Sequence, residues 1–223
     1  MKDWDAESAV LAARALAEGR PTGWFEELYA AGERGETTVP WNRTAPAPQL
    51  TDWVPTLGDP DGRRAVVVGC GLGGDAEFVA AAGFTTTAFD IAPTAVATAR
   101  GRYPGSPVDY RVADLLDLPD EWARAFDVVV EIINVQALPV SLRPAATAAV
   151  AALVAPGGDL LVVENVRGDG DPPSSRPPWA FTRAEITAFA GHGLEPVSPA
   201  RSSGLPVRWT AVFRRKDRKP GPE

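Results

Sequence analysis

The chain has 223 residues and a formal net charge of −7, and 45% of its residues are hydrophobic. This length fits one α/β domain with a short extension, and the negative charge argues against a protein that neutralises nucleic-acid phosphates. The sequence contains no apolar run of 18 residues and only one cysteine, which excludes an internal disulfide. We expect a cytoplasmic protein that binds neither nucleic acid nor membrane, holds no metal, and is a monomer or weak homodimer.

An N-terminal extension precedes the regular part of the chain. Apolar spacing predicts helices over residues 4–20 and 23–31. The following segment, 33–50, is rich in proline, glycine and threonine and is too long for a simple connector, so it is either a lid or flexible. The chain is predicted to divide into N-terminal helices with a lid segment (1–55), a main domain (56–214) and a disordered charged tail (215–223).

From Arg64 onward, strand patterns alternate with helix patterns. The predicted strands are 64–69, 84–90, 107–112, 126–133, 159–165, 194–198 and 206–214. The predicted helices are 74–82, 92–102, 142–155 and 182–191. The run 126–133 is almost continuously apolar, as expected of a parallel strand buried on both faces. Alternation of this kind predicts an α/β fold with a doubly wound, seven-stranded, mostly parallel sheet and an N-terminal helical cover.

A glycine-rich turn follows the first strand of this pattern, in the segment 65–75. The turn fits both G-x-G-x-x-G and G-x-G-x-G, and its glycines are Gly69, Gly71, Gly73 and Gly74. Such a turn lets backbone N–H groups approach a nucleotide-like ligand. Asp90 ends the next strand, where a carboxylate can bind the ribose hydroxyls. The pattern therefore predicts an adenosine-containing cofactor, either a dinucleotide or S-adenosylmethionine (SAM).

Three features favour SAM over a dinucleotide. Asp114 and Leu115 follow the third strand, where a carboxylate and the next backbone N–H can bind adenine. About 60 residues precede the turn, and no second domain is expected after the sheet. Alternatives stay open at each position, since the glycines could serve only the turn, Asp114 could be a surface acid and Asp90 could cap the helix 92–102. A cofactor-fold binding protein without activity is a further alternative.

Over roughly 64–214 the sequence resembles the class I SAM-dependent methyltransferases. Gly69-Cys-Gly-Leu-Gly-Gly-Asp75 looks like the G-C-G-x-G-x-D turn of the thiopurine and thiol S-methyltransferase branch. The segment from Trp24 to Tyr29, with Pro40-Trp41 after it, is similar to the N-terminal segment that closes the active site in that branch. The resemblance thus implies a Rossmann-like domain. Val67 departs from the class, which usually carries an acidic residue two positions before the first glycine.

The resemblance also implies roles for individual residues. The residues it implies for SAM are Trp41, Gly69, Cys70, Gly71, Gly73, Asp75, Asp90, Ile91, Asp114, Leu115 and Glu131. The candidates for the acceptor are Trp24, Tyr29 and Trp41 in the N-terminal segment, Asn134 after the fourth strand, and Arg167 and Trp179 after the fifth. Core packing is the alternative for Trp24, and a hydrogen bond to the neighbouring loop is the alternative for Glu131.

No residue is assigned a catalytic role, because the sequence offers no strong general base. A thiol acceptor needs little help from a base, since it is already partly ionised near neutral pH. The sequence therefore predicts transfer of a methyl group from SAM to a small molecule, with a thiol sulfur favoured. The alternatives are a small-molecule O-methyltransferase and, in a different class, an NAD-dependent oxidoreductase.

Overall fold

The computed structural model describes residues 4–201 and 207–217 of the chain. Its α-helices are α1 Trp4–Ala17, α2 Gly23–Glu33, α3 Pro48–Trp53, α4 Gly74–Ala81, α5 Pro93–Arg102, α6 Arg143–Leu153 and α7 Arg183–Thr187. Its strands are β1 Arg64–Val68, β2 Thr85–Asp90, β3 Asp109–Val112, β4 Phe126–Ile132, β5 Val154–Asn165, β6 Leu194–Arg201 and β7 Arg208–Arg215. Among the described residues, no helix is both long and apolar enough to cross a membrane.

The seven strands form one sheet in the order β3-β2-β1-β4-β5-β7-β6. Strands β1 to β5 pair in parallel, and β7 runs antiparallel to both β5 and β6. The predicted α/β fold with a mostly parallel, seven-stranded sheet is confirmed. The chain winds outward from β1 in both directions, so the carboxyl ends of β1 and β4 flank a crevice in which open α/β sheets bind ligands.

Both faces of the sheet are buried, and the alternation of side chains along each strand supplies both cores. In β1, Val66 and Val68 belong to the buried cluster that includes residues of α1, α2 and α6, whereas Ala65 and Val67 belong to the cluster that includes residues of α3 and α4. Helices α2 and α3 therefore lie on opposite faces, although they are consecutive in the chain. Residues 34–47 cross from one face to the other, and this crossing places them over the carboxyl edge of the sheet.

The N-terminal cover is anchored to the sheet layer by Glu26 of α2. Its carboxylate accepts hydrogen bonds from the backbone N–H of Thr94, at 3.0 Å, and from the Thr94 hydroxyl, at 2.5 Å. Thr94 lies in the first turn of α5, where the helix dipole and the exposed N–H groups favour a negative charge. Because α5 itself packs on the sheet, this contact fixes α2 relative to the site.

Several elements differ from the predicted pattern. The predicted helix 182–191 is the short α7 followed by a 3-10 helix, Ala188–His192. Strand β5 begins at Val154 rather than 159, because Val154 pairs with Phe126 of β4 and the chain then continues through Gly157 at φ +76°. The segment 33–50 was predicted to be a lid or flexible, but its last residues belong to α3. Proline at the first position of α3 supports this start. The backbone N–H at that position has no partner within a helix, so proline, which lacks an N–H, loses no hydrogen bond there.

The predicted disordered tail begins too early. Arg215 is the last residue of β7 and is buried, and its Nε donates a hydrogen bond to the Val154 carbonyl at 2.8 Å. Residues 218–223 lie outside the described part of the chain. The boundary drawn between 55 and 56 falls inside a short 3-10 helix, Val54–Leu57. The division into N-terminal cover and main domain otherwise stays a prediction.

Candidate active site

A cavity of about 270 Å³ opens at the carboxyl ends of β1, β2 and β4. This volume is near the lower end of small-molecule sites, which begin at roughly 300 Å³. The predicted site residues that line it are Tyr29, Trp41, Gly69, Cys70, Gly71, Asp75, Asp90, Ile91, Asp114, Leu115 and Asn134. They come from six separate parts of the chain, so the fold brings most of the predicted cofactor residues to one place.

The floor of the cavity is the glycine turn between β1 and α4. Gly69, Gly71 and Gly73 all have positive φ, at +58°, +52° and +92°, a conformation that side chains with Cβ rarely adopt. A Cβ on Gly69 would lie 2.2 Å from Asn134 Oδ1, and a Cβ on Gly71 would lie 3.0 Å from the Tyr29 hydroxyl. The glycines are therefore required for the turn and for close packing. Gly73 precedes α4 and does not line the cavity.

Replacing Gly71 with alanine is expected to destabilise the fold by about 1–2 kcal/mol, through the positive φ and the contact with Tyr29. Gly101 is the matched control, because it lies inside α5 and a Cβ there meets nothing within 4 Å. Gly101→Ala should be neutral or stabilising by up to about 1 kcal/mol. Chemical denaturation of both variants measures the difference. Equal stability of the two would contradict the steric requirement at the turn.

Asp90 lies at the end of β2 and turns its carboxylate into the cavity. Its Oδ2 accepts the N–H of Gly71 at 2.9 Å, and its Oδ1 accepts the N–H of Ala92 at 3.0 Å. The side chain is 7% exposed, and burial raises the pKa of Asp90 to about 6, although the backbone N–H donors oppose this shift. A carboxylate has about four acceptor positions, so two remain for ligand hydroxyls. Ala92, not Asp90, is the N-cap residue of α5.

Beyond Asp90 the cavity becomes apolar, with one further carboxylate. Phe89, Ile91 and Leu115 line this end together with Asp114. Oδ1 of Asp114 accepts the N–H of Leu116 at 2.8 Å, which fixes the carboxylate in a tight turn. The remaining acceptor positions of this carboxylate suit an amino group on a flat, apolar ring. Asp90 and Asp114 together therefore fit the hydroxyls and the base of an adenosine group.

The roof of the cavity is built from α2 and the crossing segment. Trp41 Nε1 donates a hydrogen bond to the Tyr29 hydroxyl, and the two rings meet edge to face with centroids 5.9 Å apart. Asp75, in the first turn of α4, accepts from Arg43 at 2.9 Å and from the N–H of Ala47 at 2.7 Å. Asp75 therefore holds the crossing segment over the glycine turn, in addition to lining the cavity.

Trp24 and Glu131 do not line the cavity, contrary to their predicted roles. Trp24 is 2% exposed and stacks on Phe25 with ring centroids 4.0 Å apart, which matches the core-packing alternative. Glu131 is fully buried, and its Oε1 accepts the N–H groups of Asn134 and Val135, both at 2.9 Å. This arrangement matches the loop-holding alternative for Glu131.

Arg167 and Trp179, predicted to meet the acceptor, also lie away from the cavity. The Arg167 guanidinium donates to the Asp171 carbonyl at 2.6 Å and to Glu185 Oε2 at 2.9 Å. Trp179 is buried, and its backbone N–H donates to the Gln136 backbone carbonyl at 2.7 Å. The segment after β5 folds back on itself, so these side chains stabilise the loop instead of facing a ligand.

Ile133 and Arg208 are among the cavity residues that the sequence interpretation missed. Ile133, directly after β4, has φ +57°, which is unusual for a β-branched residue and marks local strain at the rim. Arg208, the first residue of β7, also lines the cavity. No local pattern reveals Ile133. The first residue of a strand lies at the carboxyl edge of the parallel strands only when the strand runs antiparallel to them. The position of Arg208 therefore becomes apparent only once the pairing of β7 with β5 is known.

The domain model of one family matches residues 65–158, and that family is described as the methyltransferase domain. The matched stretch contains the glycine turn, Asp90 and Asp114. Together with the fold, this match confirms the resemblance to the class I SAM-dependent methyltransferases. The cofactor of that class is SAM, in agreement with the predicted preference over a dinucleotide.

Similar curated proteins are methyltransferases that act on different acceptor atoms. A ubiquinone biosynthesis O-methyltransferase from Xanthomonas axonopodis is 37% identical over 52% of this chain and 48% of its own length. A probable thiol methyltransferase from Arabidopsis thaliana is 28% identical over 67% of this chain and 64% of its own length. The chain spans about half the length of the first of these relatives.

A solved structure supports the same fold. The 1,6-didemethyltoxoflavin-N1-methyltransferase of Burkholderia thailandensis, solved with S-adenosylhomocysteine (SAH), matches with a TM-score of 0.67 and 17% identity. The match covers 86% of each chain. It extends beyond the 65–158 region and shows that the sheet and most of its flanking elements share the class I arrangement.

Proposed function

We propose that this protein transfers a methyl group from SAM to a small-molecule acceptor, and that the preferred acceptor atom is a thiol sulfur. One observation carries the proposal: Asp90, Asp114 and the glycine turn line the same cavity, which Tyr29 and Trp41 cover. The family match supports the choice of SAM over a dinucleotide. The thiol methyltransferase among the relatives supports a sulfur acceptor, and the ubiquinone O-methyltransferases support oxygen as the second candidate.

The residues of the site would hold the cofactor and exclude water. Bound SAM supplies an electrophilic methyl group on a positively charged sulfur. Asp90 would accept the ribose hydroxyls, and Asp114 with Leu115 would bind the base. Tyr29 and Trp41 bring aromatic rings to the wall of the cavity, and a cation against such a ring gains about 0.5–2 kcal/mol. The protein's main contribution to the reaction is then orientation of the acceptor in a dry pocket.

Apart from Asp90 and Asp114, which are assigned to the cofactor above, the groups of the cavity offer little base catalysis. Burial raises the pKa of the Tyr29 hydroxyl and of the Cys70 thiol well above their usual values, so both stay protonated near neutral pH. Asp75 is engaged by Arg43, and none of the described residues lining the cavity is a histidine. A thiol has a pKa near 8.5 and is a strong nucleophile once ionised, so it can react without a strong base. This chemistry supports sulfur over an alcohol or phenol.

A binding experiment followed by an acceptor panel tests the proposal. Calorimetry is expected to detect SAH binding and no NADH binding. Methyl transfer from SAM is then measured on matched pairs such as thiophenol and phenol, and the thiol should react with a kcat/KM at least about tenfold higher. Methylation of phenols but of no thiol would overturn the sulfur assignment. NADH binding without SAH binding would overturn the methyltransferase assignment.

A further inference from the structure

Ile133 has a backbone conformation that its residue type normally avoids. Its φ is +57°, and Ile133 and Arg124 are the two residues other than glycine that have positive φ in the described part of the chain. A β-branched side chain is disfavoured in this conformation, because Cβ lies too close to the following carbonyl oxygen. Such strain persists only where the surrounding structure imposes it, and it is frequent where a protein contacts a ligand.

Hydrogen bonds from both neighbouring strands hold the chain in this conformation. The N–H of Ile133 donates to the Val163 carbonyl of β5 at 2.8 Å. The next two N–H groups, those of Asn134 and Val135, both donate to Oε1 of Glu131 in β4 at 2.9 Å. Three consecutive backbone groups are therefore engaged, and relaxing φ at Ile133 would disturb these bonds.

Core packing does not account for an isoleucine at this position. The Ile133 side chain is half-buried and lines the cavity, and among the described residues it belongs to neither of the two buried clusters that flank the sheet. Glycine at this position would remove the strain without leaving a hole in either cluster. What the strained conformation achieves is an isoleucine side chain in the cavity.

Ile133 lies on the opposite side of the glycine turn from the adenosine residues. In the strand order β3-β2-β1-β4, Asp114 follows β3, Asp90 ends β2 and Ile133 follows β4. An adenosine group at the two aspartates leaves the β4 end of the cavity for the acceptor. The cavity-lining residues of the segment 132–138 carry no charge; they are Ile132, Ile133, Asn134, Ala137 and Leu138.

We propose that Ile133 determines acceptor specificity by packing against the apolar body of the acceptor, so that the acceptor is a thiol on a hydrocarbon group and not on a polar one. This inference rests on the proposed function and adds the polarity of the substrate and the residue that selects it. Because three hydrogen bonds fix the backbone at and after Ile133, the contact both selects the acceptor and orients it.

Two acceptors of the same shape test the polarity. 1-Butanethiol and 3-mercapto-1-propanol differ only in a methyl group in place of a hydroxyl, three carbons away from the sulfur. The wild-type protein should methylate 1-butanethiol with a kcat/KM at least about tenfold higher. Ile133→Gly should lower this kcat/KM by about tenfold or more, and that of 3-mercapto-1-propanol by less than about threefold. Ile133→Val keeps most of the side chain and should keep most of the preference.

Chemical denaturation and SAH binding give readouts that do not depend on activity. Ile133→Gly should unfold at a higher denaturant concentration than Ile133→Ala, because positive φ penalises any Cβ and so reverses the usual order of these two residues. The affinity of SAH, measured by calorimetry, should stay within about twofold of the wild type in both variants.

The matched control is Arg124, which also has positive φ, at +54°, but is exposed and precedes β4 at the opposite edge of the sheet. Arg124→Gly should likewise be more stable than Arg124→Ala. Because this side chain is not part of the cavity lining, both variants should keep the wild-type kcat/KM for both acceptors.

The outcomes separate this inference from the proposed function. Normal SAH binding with no preference of the wild type for 1-butanethiol, or an equal loss on both acceptors in Ile133→Gly, would overturn the inference and leave the methyltransferase assignment standing. Alanine more stable than glycine at position 133 would also overturn it, and so would a selective loss of SAH affinity, which would assign Ile133 to the cofactor. If the wild-type protein binds no SAH or methylates no thiol, the proposed function is overturned and the inference falls with it.

Discussion

Replacing Asp90 with alanine is expected to weaken SAH binding by at least about 100-fold, or roughly 3 kcal/mol. The reason is twofold. The variant loses the carboxylate that would accept the ribose hydroxyls, and it leaves the N–H groups of Gly71 and Ala92 without their present acceptors. Asp90→Asn keeps one acceptor oxygen, so its affinity for SAH should lie between that of the wild type and that of Asp90→Ala. Calorimetry with SAH measures the affinities, and circular dichroism checks the fold.

Asp109→Ala is the matched control for this variant, because Asp109 is an exposed residue of β3 whose carboxylate pairs with Arg111. Its affinity for SAH should equal that of the wild-type protein. An Asp90→Ala protein that is folded and binds SAH within about threefold of the wild type would contradict the assignment of this carboxylate to the cofactor.

The pKa of Asp90 gives the same prediction a pH dependence. Burial raises this pKa to about 6, and only the ionised carboxylate can accept hydrogen bonds from two hydroxyls with full strength. SAH affinity should therefore fall by up to tenfold per pH unit below about pH 6. The fall should be absent in Asp90→Asn, whose amide does not titrate in this range.

Local patterns made the cofactor side of the site predictable from the sequence. The glycine turn and Asp90 belong to one strand-helix-strand unit, so their spacing along the chain determines their spacing in space. Asp114 follows the adjacent strand, β3, and reaches the same edge for the same reason. In a parallel sheet, residues at the carboxyl ends of neighbouring strands meet at one edge, whatever the remaining fold does.

The sequence predicted helix α2 but not which of its two aromatic side chains reaches the cavity. Trp24 and Tyr29 are five residues apart, and at about 100° per residue their side chains point roughly 140° apart on α2. They cannot both face a site on one side of the helix. Tyr29 lines the cavity, and Trp24 packs in the core. A motif that names both residues therefore does not reveal which one reaches the ligand.

The acceptor side depends on contacts between distant parts of the chain, which the sequence does not reveal. Arg208 reaches the cavity because β7 pairs antiparallel with β5, and that pairing sets Arg208 opposite Asn165. Arg167 was predicted to line the pocket because it follows β5. The chain after β5 instead folds back and places Glu185 of α7 beside it, and Arg167 donates a hydrogen bond to that carboxylate. The sequence predicted Arg167 at the cavity, whereas tertiary pairing brings Arg208 there.

Glu131 illustrates the same dependence and leads to the second large effect. Glu131 lies in β4 and Glu164 in β5, both are fully buried, and the parallel register places Val162, two residues before Glu164, opposite Glu131. Oε2 of each carboxyl is buried and accepts no hydrogen bond from the described residues. The charge of Glu131 disfavours ionisation of Glu164, so we expect the pair to hold one proton over part of the neutral pH range. Burial raises the pKa of Glu131 to about 7, and burial with the Glu131 charge raises that of Glu164.

This pair is expected to make the protein less stable as the pH rises. The folded state keeps a proton that the unfolded chain releases near pH 4.5, the ordinary value for a glutamate. Raising the pH from about 4.5 to about 7 therefore favours unfolding, and each unit of pKa difference corresponds to about 1.4 kcal/mol. We expect a loss on the order of 1–3 kcal/mol between pH 5 and pH 8 from this pair. Chemical denaturation across this range measures it.

Glu164→Gln should remove most of that loss. Glu164 Oε1 accepts the N–H of Gln136 at 3.0 Å, and the amide oxygen of the variant can keep this contact. The amide nitrogen can then donate to Glu131 Oε2 at every pH, so the Glu131 carboxylate is stabilised and its pKa falls. At pH 8 the variant should be more stable than the wild type by about 1–2 kcal/mol. Glu195→Gln, an exposed residue paired with Lys216, is the control and should change neither stability nor its pH dependence.

The same variant links the buried pair to the site. Glu131 holds the backbone of Asn134, which lines the cavity, and Glu164 holds the backbone two residues further on. Repulsion within the pair at high pH would loosen this rim, so SAH affinity in the wild type should decline above about pH 7 together with stability. Glu164→Gln should abolish both declines. An affinity that falls while stability stays constant would show that the pair does not act through the rim.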